Sequence, residues 1–94
     1  METHYNKDNR CIQYIRKKNK NDYIVNHIFL SSQENMIFNE LYNNEIVPAD
    51  RFSSIMEDQA FRTAICRLRK KIRKVYRIRA VRKIGYALVR RSND

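Results

Sequence analysis

Residues 61–88 read FRTAICRLRKKIRKVYRIRAVRKIGYAL, and the hydrophobic period of this stretch changes from helical to strand-like along its length. In the first part, apolar residues recur every three or four positions, as on one face of an α-helix; they are Phe61, Ala64, Ile65, Leu68 and Ile72. The opposite face is cationic without a carboxylate, and it comprises Arg62, Thr63, Cys66, Arg67, Arg69, Lys70, Arg73 and Lys74. We therefore expect a helix that buries one face in a core and presents the other to an anionic partner.

The second part of the stretch has the pattern of a β-hairpin. The helix is expected to end at about Val75, because apolar residues and arginines then alternate over residues 76–81. A second apolar run, residues 84–89, follows the charged pair Arg82-Lys83. The sequence therefore predicts two strands joined by a charged tip.

The N-terminal third predicts a small antiparallel sheet. Residues 1–9 are polar and are expected to form a flexible terminus, with a single domain over residues 10–94. Short strands are predicted from β-branched and aromatic residues, and polar runs between them are predicted to be turns. The predicted strands are 11–15, 23–25 and 28–30, and the predicted connections are the polar run 16–22 and a tight link at Asn26-His27.

Two further helices are predicted between this sheet and the basic helix. Ser31-Ser32 followed by Gln33-Glu34 has the pattern of an N-cap, and Asn43-Asn44 is a plausible end. After an extended link at Ile46-Val47, Pro48 fits the first turn of a second helix whose buried face is marked by Phe52, Ile55 and Met56. Residues 57–59 alone are expected to separate that helix from the third.

The charge of the chain is strongly asymmetric. The 94 residues carry a net charge of +10. Residues 1–61 contain seven Lys/Arg against nine Asp/Glu, and residues 62–94 contain thirteen against one. A segment with a net charge near +12 favours binding to a polyanion. The simplest such partner is the phosphate backbone of nucleic acid, and an anionic membrane surface is the competing one. A membrane-lying helix, however, needs neither a capped helix upstream nor a closing hairpin.

The remaining chemistry-bearing residues do not indicate an enzyme or a cofactor. Cys11 and Cys66 are 55 residues apart without a second cysteine or histidine at ligand spacing, so neither zinc nor a disulfide framework is suggested. The N-terminus lacks a signal-peptide core, and no window reaches the roughly 18 apolar residues of a membrane span. We expect a cytoplasmic protein that contacts no membrane, and we assign no catalytic role to Ser31, Ser32 or the histidines.

The order helix, turn, helix, hairpin is that of a winged helix-turn-helix, in which the last helix enters the major groove. The chain from Ile28 to Leu88 resembles the C-terminal effector domains of OmpR/PhoB response regulators. The strongest matches are ICRLRKKI (65–72) against the family's ISRLRKKL, and IRAVRKIGY (78–86) against IRTVRGVGY. Residues 28–34 also resemble the family's strand ending in LTPxE, and residues 46–52 its VVSRxxL segment. The implied fold is α+β, with a short N-terminal antiparallel sheet, three helices and a C-terminal wing.

The resemblance also implies the residues that contact DNA. Carried over residue by residue, it gives Arg62, Cys66, Arg67, Arg69 and Lys70 on the third helix, and Arg79, Arg82 and Lys83 on the wing. Gln59 and Thr63 near the start of the helix and Arg73 and Lys74 at its end are further candidate contacts. Arginine reads guanine bidentately whereas lysine mostly contacts phosphate. Gln59 and Thr63 are expected to contact the backbone, and Arg82 the minor groove. Lys83 stands where the family has a wing glycine, so a turn with positive φ there would have to be rebuilt.

The sequence thus predicts a stand-alone bacterial or phage transcriptional regulator, without a receiver domain, that binds double-stranded DNA. By resemblance, RNA polymerase and a tandem dimer on DNA are further possible partners, although the loop before the third helix is short. The alternatives are an adaptor that docks on RNA polymerase or another regulator, and a nucleoid-type binder with little sequence preference. Cys66 is interpreted as a small contact residue, with a redox switch as the alternative.

Overall fold

The computed structural model describes residues 2–91, which form an α+β protein with three helices and two small antiparallel sheets. The N-terminal sheet has the order β1-β2-β3 and comprises β1 (Thr3–Asn6), β2 (Cys11–Lys17) and β3 (Tyr23–Phe29). The helices that follow are α1 (Ser32–Asn43), α2 (Ala49–Ser53) and α3 (Asp58–Ile72). The second sheet has the order β4-β6-β5 and comprises β4 (Val47–Pro48), β5 (Tyr76–Val81) and β6 (Gly85–Arg90).

The prediction that residues 1–9 are flexible is wrong for the described part of that segment, since Met1 lies outside the described residues. Strand β1 pairs with β2 over four residues. Its Tyr5 ring packs edge-on against Phe38 and Tyr42, with ring centroids 4.7 and 5.2 Å away, and its hydroxyl donates to Asn35 of α1. A single aromatic residue in a polar segment is a weak local signal, and the strand is stabilised by this tertiary contact.

Strand β3 is continuous, so the predicted break at Asn26-His27 is also wrong. It pairs with β2 over seven consecutive positions, from Cys11 opposite Phe29 to Lys17 opposite Tyr23. The true turn runs from Lys18 to Asp22, where the Lys18 N–H donates to the Asp22 carbonyl at 2.9 Å. Because the ladder with β2 is uninterrupted, every β3 backbone group that faces β2 forms a hydrogen bond. This pairing outweighs the preference of Asn26 for turns.

The predicted cap of α1 is confirmed. The Ser31 hydroxyl accepts a hydrogen bond from the Glu34 N–H at 3.2 Å, and the Glu34 carboxylate accepts one from the Ser31 N–H at 2.8 Å. These two bonds form a capping box. The helix ends at Asn43, also as predicted, and the Asn44 side chain donates to the Glu40 carbonyl at 2.8 Å.

The boundaries of α2 and α3 differ from the predicted ones. Helix α2 ends at Ser53, so Ile55 and Met56 lie beyond it, although both still pack against the core. Helix α3 begins at Asp58, two residues before the predicted start, and ends at Ile72. Arg73 and Lys74 therefore belong to the turn after α3, which closes through a Val75 N–H to Ile72 carbonyl bond of 2.9 Å.

The core lies between α1, α3 and the two sheets. The predicted stripe of α3 is confirmed: Ala64, Leu68 and Ile72 are buried, and Phe61 and Ile65 pack against the core at its margin. From α1 the core receives Ile37, Phe38 and Leu41. Each fully buried residue of this size contributes about 1.5–3 kcal/mol of transfer free energy. This burial fixes which side of α3 faces solvent.

The predicted hairpin is confirmed as β5 and β6, and the structure adds β4 as a third strand beside it. Val47 pairs with Tyr86, and Pro48 pairs with Gly85. A Cβ atom on Gly85 would lie 2.0 Å from the Val47 carbonyl oxygen and 2.8 Å from the Pro48 Cα. Only glycine permits this approach, and the base of the hairpin is thereby joined to the residue that precedes α2.

Candidate nucleic-acid interface

Helix α3 presents its polar face to solvent along its whole length. Burial of Ala64, Leu68 and Ile72 on one side leaves the opposite side free. The predicted contacts on this helix are all exposed: Gln59, Arg62, Thr63, Cys66, Arg67, Arg69 and Lys70. Arg73 and Lys74 are exposed as well, in the turn that continues from the helix. We call these nine residues the α3 surface.

The α3 surface contains one internal ion pair, so the expectation of a face without a carboxylate is wrong. Arg62 Nε lies 3.0 Å from Asp58 Oδ2, one helical turn earlier, because α3 starts before the predicted position. Both side chains are more than 70% exposed, and such pairs contribute only about 0.3–0.5 kcal/mol. Within residues 2–91, Arg67, Arg69 and Lys70 form no ion pair. The α3 surface therefore keeps most of its positive charge.

Lys71 differs from its cationic neighbours because it is bound to the body of the protein. Its Nζ donates to Glu34 Oε1 at 2.6 Å and to the Phe29 carbonyl at 3.1 Å. The Glu34 side chain is 2% exposed. Burial raises the pKa of Glu34, but the hydrogen bonds from Lys71 and Ser31 and the charge of Lys71 lower it by more, so that the pKa lies below its ordinary value of 4.5.

These contacts give the last turn of α3 a fixed position. Lys71 joins it to the start of α1 through Glu34 and to the end of β3 through Phe29. The sequence pattern gives no such role to Lys71, because it is one of several cations in a row. Its position could have predicted this contact, because Lys71 lies beside Leu68 and Ile72 at the margin of the buried stripe of α3.

The β5–β6 hairpin supplies a second set of exposed cations. Arg77 and Arg79 alternate with the buried Tyr76 and Ile78, and both face solvent. The predicted contacts omit Arg77, although the same period of two that places Arg79 on this face places Arg77 there as well. We call the exposed face of β5 together with its tip the hairpin surface.

The tip of the hairpin keeps a turn with positive φ. Lys83 has φ 64°, and the Ile84 N–H donates to the Val81 carbonyl at 3.0 Å. The expectation that lysine at this position requires a rebuilt turn is therefore wrong. A non-glycine residue in the left-handed region costs about 1–2 kcal/mol. Arg82 and Lys83 are both exposed there, so the turn presents two adjacent cations.

The two cysteines and the histidines lie in different environments. Cys66 is an exposed free thiol on the α3 surface, and Cys11 is a buried free thiol whose Sγ lies 3.6 Å from His27 Nδ1. In residues 2–91, no three His, Cys, Asp or Glu side chains come together in a way that could hold a metal ion. None of the helices in that range has the length and apolar character needed to cross a membrane.

The α3 surface and the hairpin surface offer the same chemistry: guanidinium and ammonium groups on elements with buried inner faces. Among residues 2–91, only Arg62 of these cations has a carboxylate partner. Guanidinium groups bind phosphate oxygens and guanine edges bidentately, and ammonium groups act as point charges. Comparison of the chain with known protein families, with curated proteins and with solved structures found no match.

Proposed function

We propose that this chain binds double-stranded DNA as a sequence-specific transcriptional regulator with a winged helix-turn-helix architecture. In this proposal α2 and α3 form the helix-turn-helix, α3 enters the major groove, and the β5–β6 hairpin is the wing. The observation that carries the proposal is the α3 surface: a helix with one fully buried side and an opposite side occupied by exposed cations.

The shape and charge of α3 support a major-groove contact. The major groove of B-DNA is about 12 Å wide and admits an α-helix. Arg67 and Arg69 lie on the α3 surface without an ion-pair partner in the described part of the chain, so neither has to break a salt bridge before binding a base or a phosphate. Lys71 and Glu34 hold the helix end in place, and this reduces the conformational entropy lost on binding.

The hairpin supports a second contact. Arg82 and Lys83 form a compact cationic tip, and Arg77 and Arg79 continue the charge along β5. We propose that Arg82 enters the minor groove and that Arg79 and Lys83 bind phosphates beside it. Arg77 joins this set as a further phosphate contact.

The resemblance to OmpR/PhoB effector domains supports the same assignment. Its two strongest motifs, residues 65–72 and 78–86, fall on α3 and on the hairpin. A third similar segment, residues 28–34, contains the capping box of α1. Each similar motif therefore coincides with an element that the winged-helix architecture requires.

The proposal is tested by selecting bound sequences from random duplex DNA and then measuring affinity by fluorescence anisotropy over a range of salt. Six to ten phosphate contacts give a log–log slope of roughly −5 to −9. We expect an enriched motif and a slope in this range. A slope near zero, or no binding at low salt, would contradict the proposal and favour the protein adaptor. Equal affinity for random DNA would favour the nucleoid-type binder.

Individual arginines are tested by substitution with a matched control. Arg67→Ala and Arg69→Ala should each cost about 1–3 kcal/mol for the selected sequence if the arginine reads a base, and relax the preference at one position. Arg16→Ala removes the same charge from an exposed residue of β2 and should change the affinity little. An effect equal to that of Arg16→Ala removes the tested arginine from the set of base contacts.

A further inference from the structure

The two sheets have four edge strands, and three of them carry features that prevent pairing with another chain. Strand β1 has four residues, β4 has two residues including Pro48, and β5 carries Arg77 and Arg79. Short length, proline and charge are the usual means by which proteins block the free backbone groups of an edge. Strand β3, the fourth edge, has none of these features.

Strand β3 is long, regular and uncharged. Its seven residues, YIVNHIF, contain no Asp, Glu, Lys, Arg, Gly or Pro, in a chain of which 32% is charged. Its pairing with β2 advances one residue at a time without a bulge. Sequences of this kind, with high β-propensity and low charge, are those that accept a further strand.

The free backbone groups of β3 belong to its odd-numbered residues. The Leu30 N–H donates to the Arg10 carbonyl, so the even-numbered positions of β3 face β2 and the odd-numbered positions face outward. Of the outward groups in the described structure, only the Phe29 carbonyl has a partner, Lys71. The side chains of Tyr23, Val25 and Phe29 are 62, 53 and 65% exposed.

We propose that β3 pairs antiparallel with β3 of a second copy of this chain, about a two-fold axis at Asn26. In this register Tyr23 lies opposite Phe29 of the other copy, and Val25 lies opposite His27. Each of these pairs joins two outward-facing residues, so each exchanges two backbone hydrogen bonds, about eight in all. Two of the eight are accepted by the Phe29 carbonyls, each of which already accepts from Lys71 through its other lone pair. The exposed aromatic rings pair across the interface, a combination that stabilises sheets.

A second copy fits this edge because the strand is complementary to itself. Outward-facing residues meet outward-facing residues, and the even-numbered residues also match, Ile24 with Ile28. A two-fold interface requires this self-complementarity. A second copy also places an exposed aromatic ring opposite each exposed aromatic ring of β3, Tyr23 against Phe29 and Phe29 against Tyr23.

The area of the interface predicts a weak, reversible dimer. A fully covered aromatic side chain buries about 150–250 Å², so the exposed parts of Tyr23, Val25 and Phe29 give roughly 350 Å² per copy and about 700 Å² in total. This lies below the standard range of about 1,200–2,000 Å². We therefore expect a weak dimer that forms only at high protein concentration.

Salt should strengthen this dimer. Each copy carries a net charge of +10. At the Tyr23 end of β3 the exposed Lys17, Lys18 and Lys20 outnumber Asp22, whereas Lys71 at the Phe29 end is already paired with Glu34. Two copies of the same positive charge repel each other, and added salt screens this repulsion. The sign is opposite to that of DNA binding, which salt weakens.

The experiment is sedimentation equilibrium of the whole chain without DNA, between about 5 and 300 µM at low and high salt. We expect the weight-average mass to rise from 11.4 kDa towards twice that value, and more steeply at high salt. Val25→Lys places a cation on the free edge at an exposed position and should abolish the rise. Val89→Lys makes the same change on β6, outside β3, and should leave the rise intact.

Amide hydrogen exchange gives a second measurement that does not depend on a variant folding. The outward N–H groups of Val25 and His27 should exchange several-fold more slowly at high than at low concentration. Circular dichroism melts establish that both lysine variants are folded. A mass that stays at 11.4 kDa, a Val25→Lys variant that dimerises like the parent chain, assembly beyond the dimer, or unchanged amide exchange would each overturn the proposal.

Discussion

The contact between Lys71 and Glu34 should contribute measurably to stability, because it joins α3 to the start of α1 at a buried carboxylate. Lys71→Met keeps the length of the side chain but removes two hydrogen bonds, to Glu34 and to the Phe29 carbonyl. Glu34 is 2% exposed, so water would only partly replace the cationic partner that its charge loses. Hydrogen bonds to charged groups contribute about 1.5–3 kcal/mol each.

The expected magnitude follows from the exposure of the two partners. Because the Lys71 side chain is 40% exposed, water reaches one side of the pair, and we expect Lys71→Met to cost about 2–3 kcal/mol rather than the 3–5 of a fully buried pair. Glu34→Gln keeps an oxygen for the Ser31 N–H and should cost about 1–2 kcal/mol. For a domain of this size, 1 kcal/mol lowers Tm by about 4–8 °C.

Urea denaturation of the parent chain, both single variants and the double variant measures the coupling directly. We expect the double variant to be about 1–2 kcal/mol more stable than the sum of the single effects predicts, since either substitution alone already removes the attraction between the two charges. Glu45→Gln, at an exposed carboxylate, is the control and should change stability little. Additive effects of Glu34→Gln and Lys71→Met would refute the assignment of a coupled pair.

The same pair predicts a pH dependence. The pKa of Glu34 is lower in the folded than in the unfolded chain, so its stabilisation is complete above about pH 4.5 and is lost as pH falls below that value through the folded-state pKa. Glu34→Gln removes this group, so its stability should fall less than that of the parent chain in the same acidic range. Parallel curves for the two proteins would contradict the lowered pKa.

Three further substitutions test individual features of the fold. Gly85→Ala places a Cβ against the Val47 carbonyl and should lower stability by about 1–3 kcal/mol in thermal denaturation; an unchanged Tm would show that β4 moves freely. Lys83→Gly relieves the positive φ and should raise stability by about 0.5–1 kcal/mol, while Lys83→Asn, which also tolerates φ 64°, isolates the loss of charge in DNA affinity. Ser31→Ala removes the cap of α1 and should cost about 1 kcal/mol, with Ser32→Ala as the neighbouring control.

The two proposed interactions of this chain make different predictions about DNA half-sites. A two-fold dimer through β3 relates its copies by rotation, which matches inverted half-sites. The tandem arrangement implied by the OmpR/PhoB resemblance matches direct repeats. The orientation of the half-sites in the selected DNA therefore separates the two arrangements, whereas the sedimentation experiment tests the β3 interface with no DNA present.

Local signals were sufficient to predict α1, α3 and the hairpin. The capping box at Ser31 and Glu34, the apolar spacing of α3 and the alternation on β5 each depend on residues close in sequence. The residues of the α3 surface from Arg62 to Lys70 were predictable for the same reason, because helical geometry places them away from the buried Leu68. Arg73 and Lys74 lie in the turn after the helix, and Gln59 was expected in the connection before it. The exact start of α3 was not, since Asp58 lies outside the apolar pattern.

The remaining features depend on residues far apart in sequence. Strand β1 is held by Tyr5 against Phe38, and β4 exists because Gly85 lets the chain near Val47 approach β6. Lys71 is separated by 37 positions from Glu34. The periodicity of the sequence does not predict such contacts, because each one forms only after two distant elements have packed side by side.

The sequence by itself therefore determined which helix is basic, where the hairpin turns and which charges face outward, because local backbone geometry decides these. Only the tertiary structure decided that β3 is one uninterrupted strand with a free edge. It also decided that Lys71 forms an ion pair with Glu34, whereas its cationic neighbours on the α3 surface have no contact with Glu34. The physical reason is that burial and hydrogen-bond pairing are properties of the assembled core, and they distinguish residues that look alike in the chain.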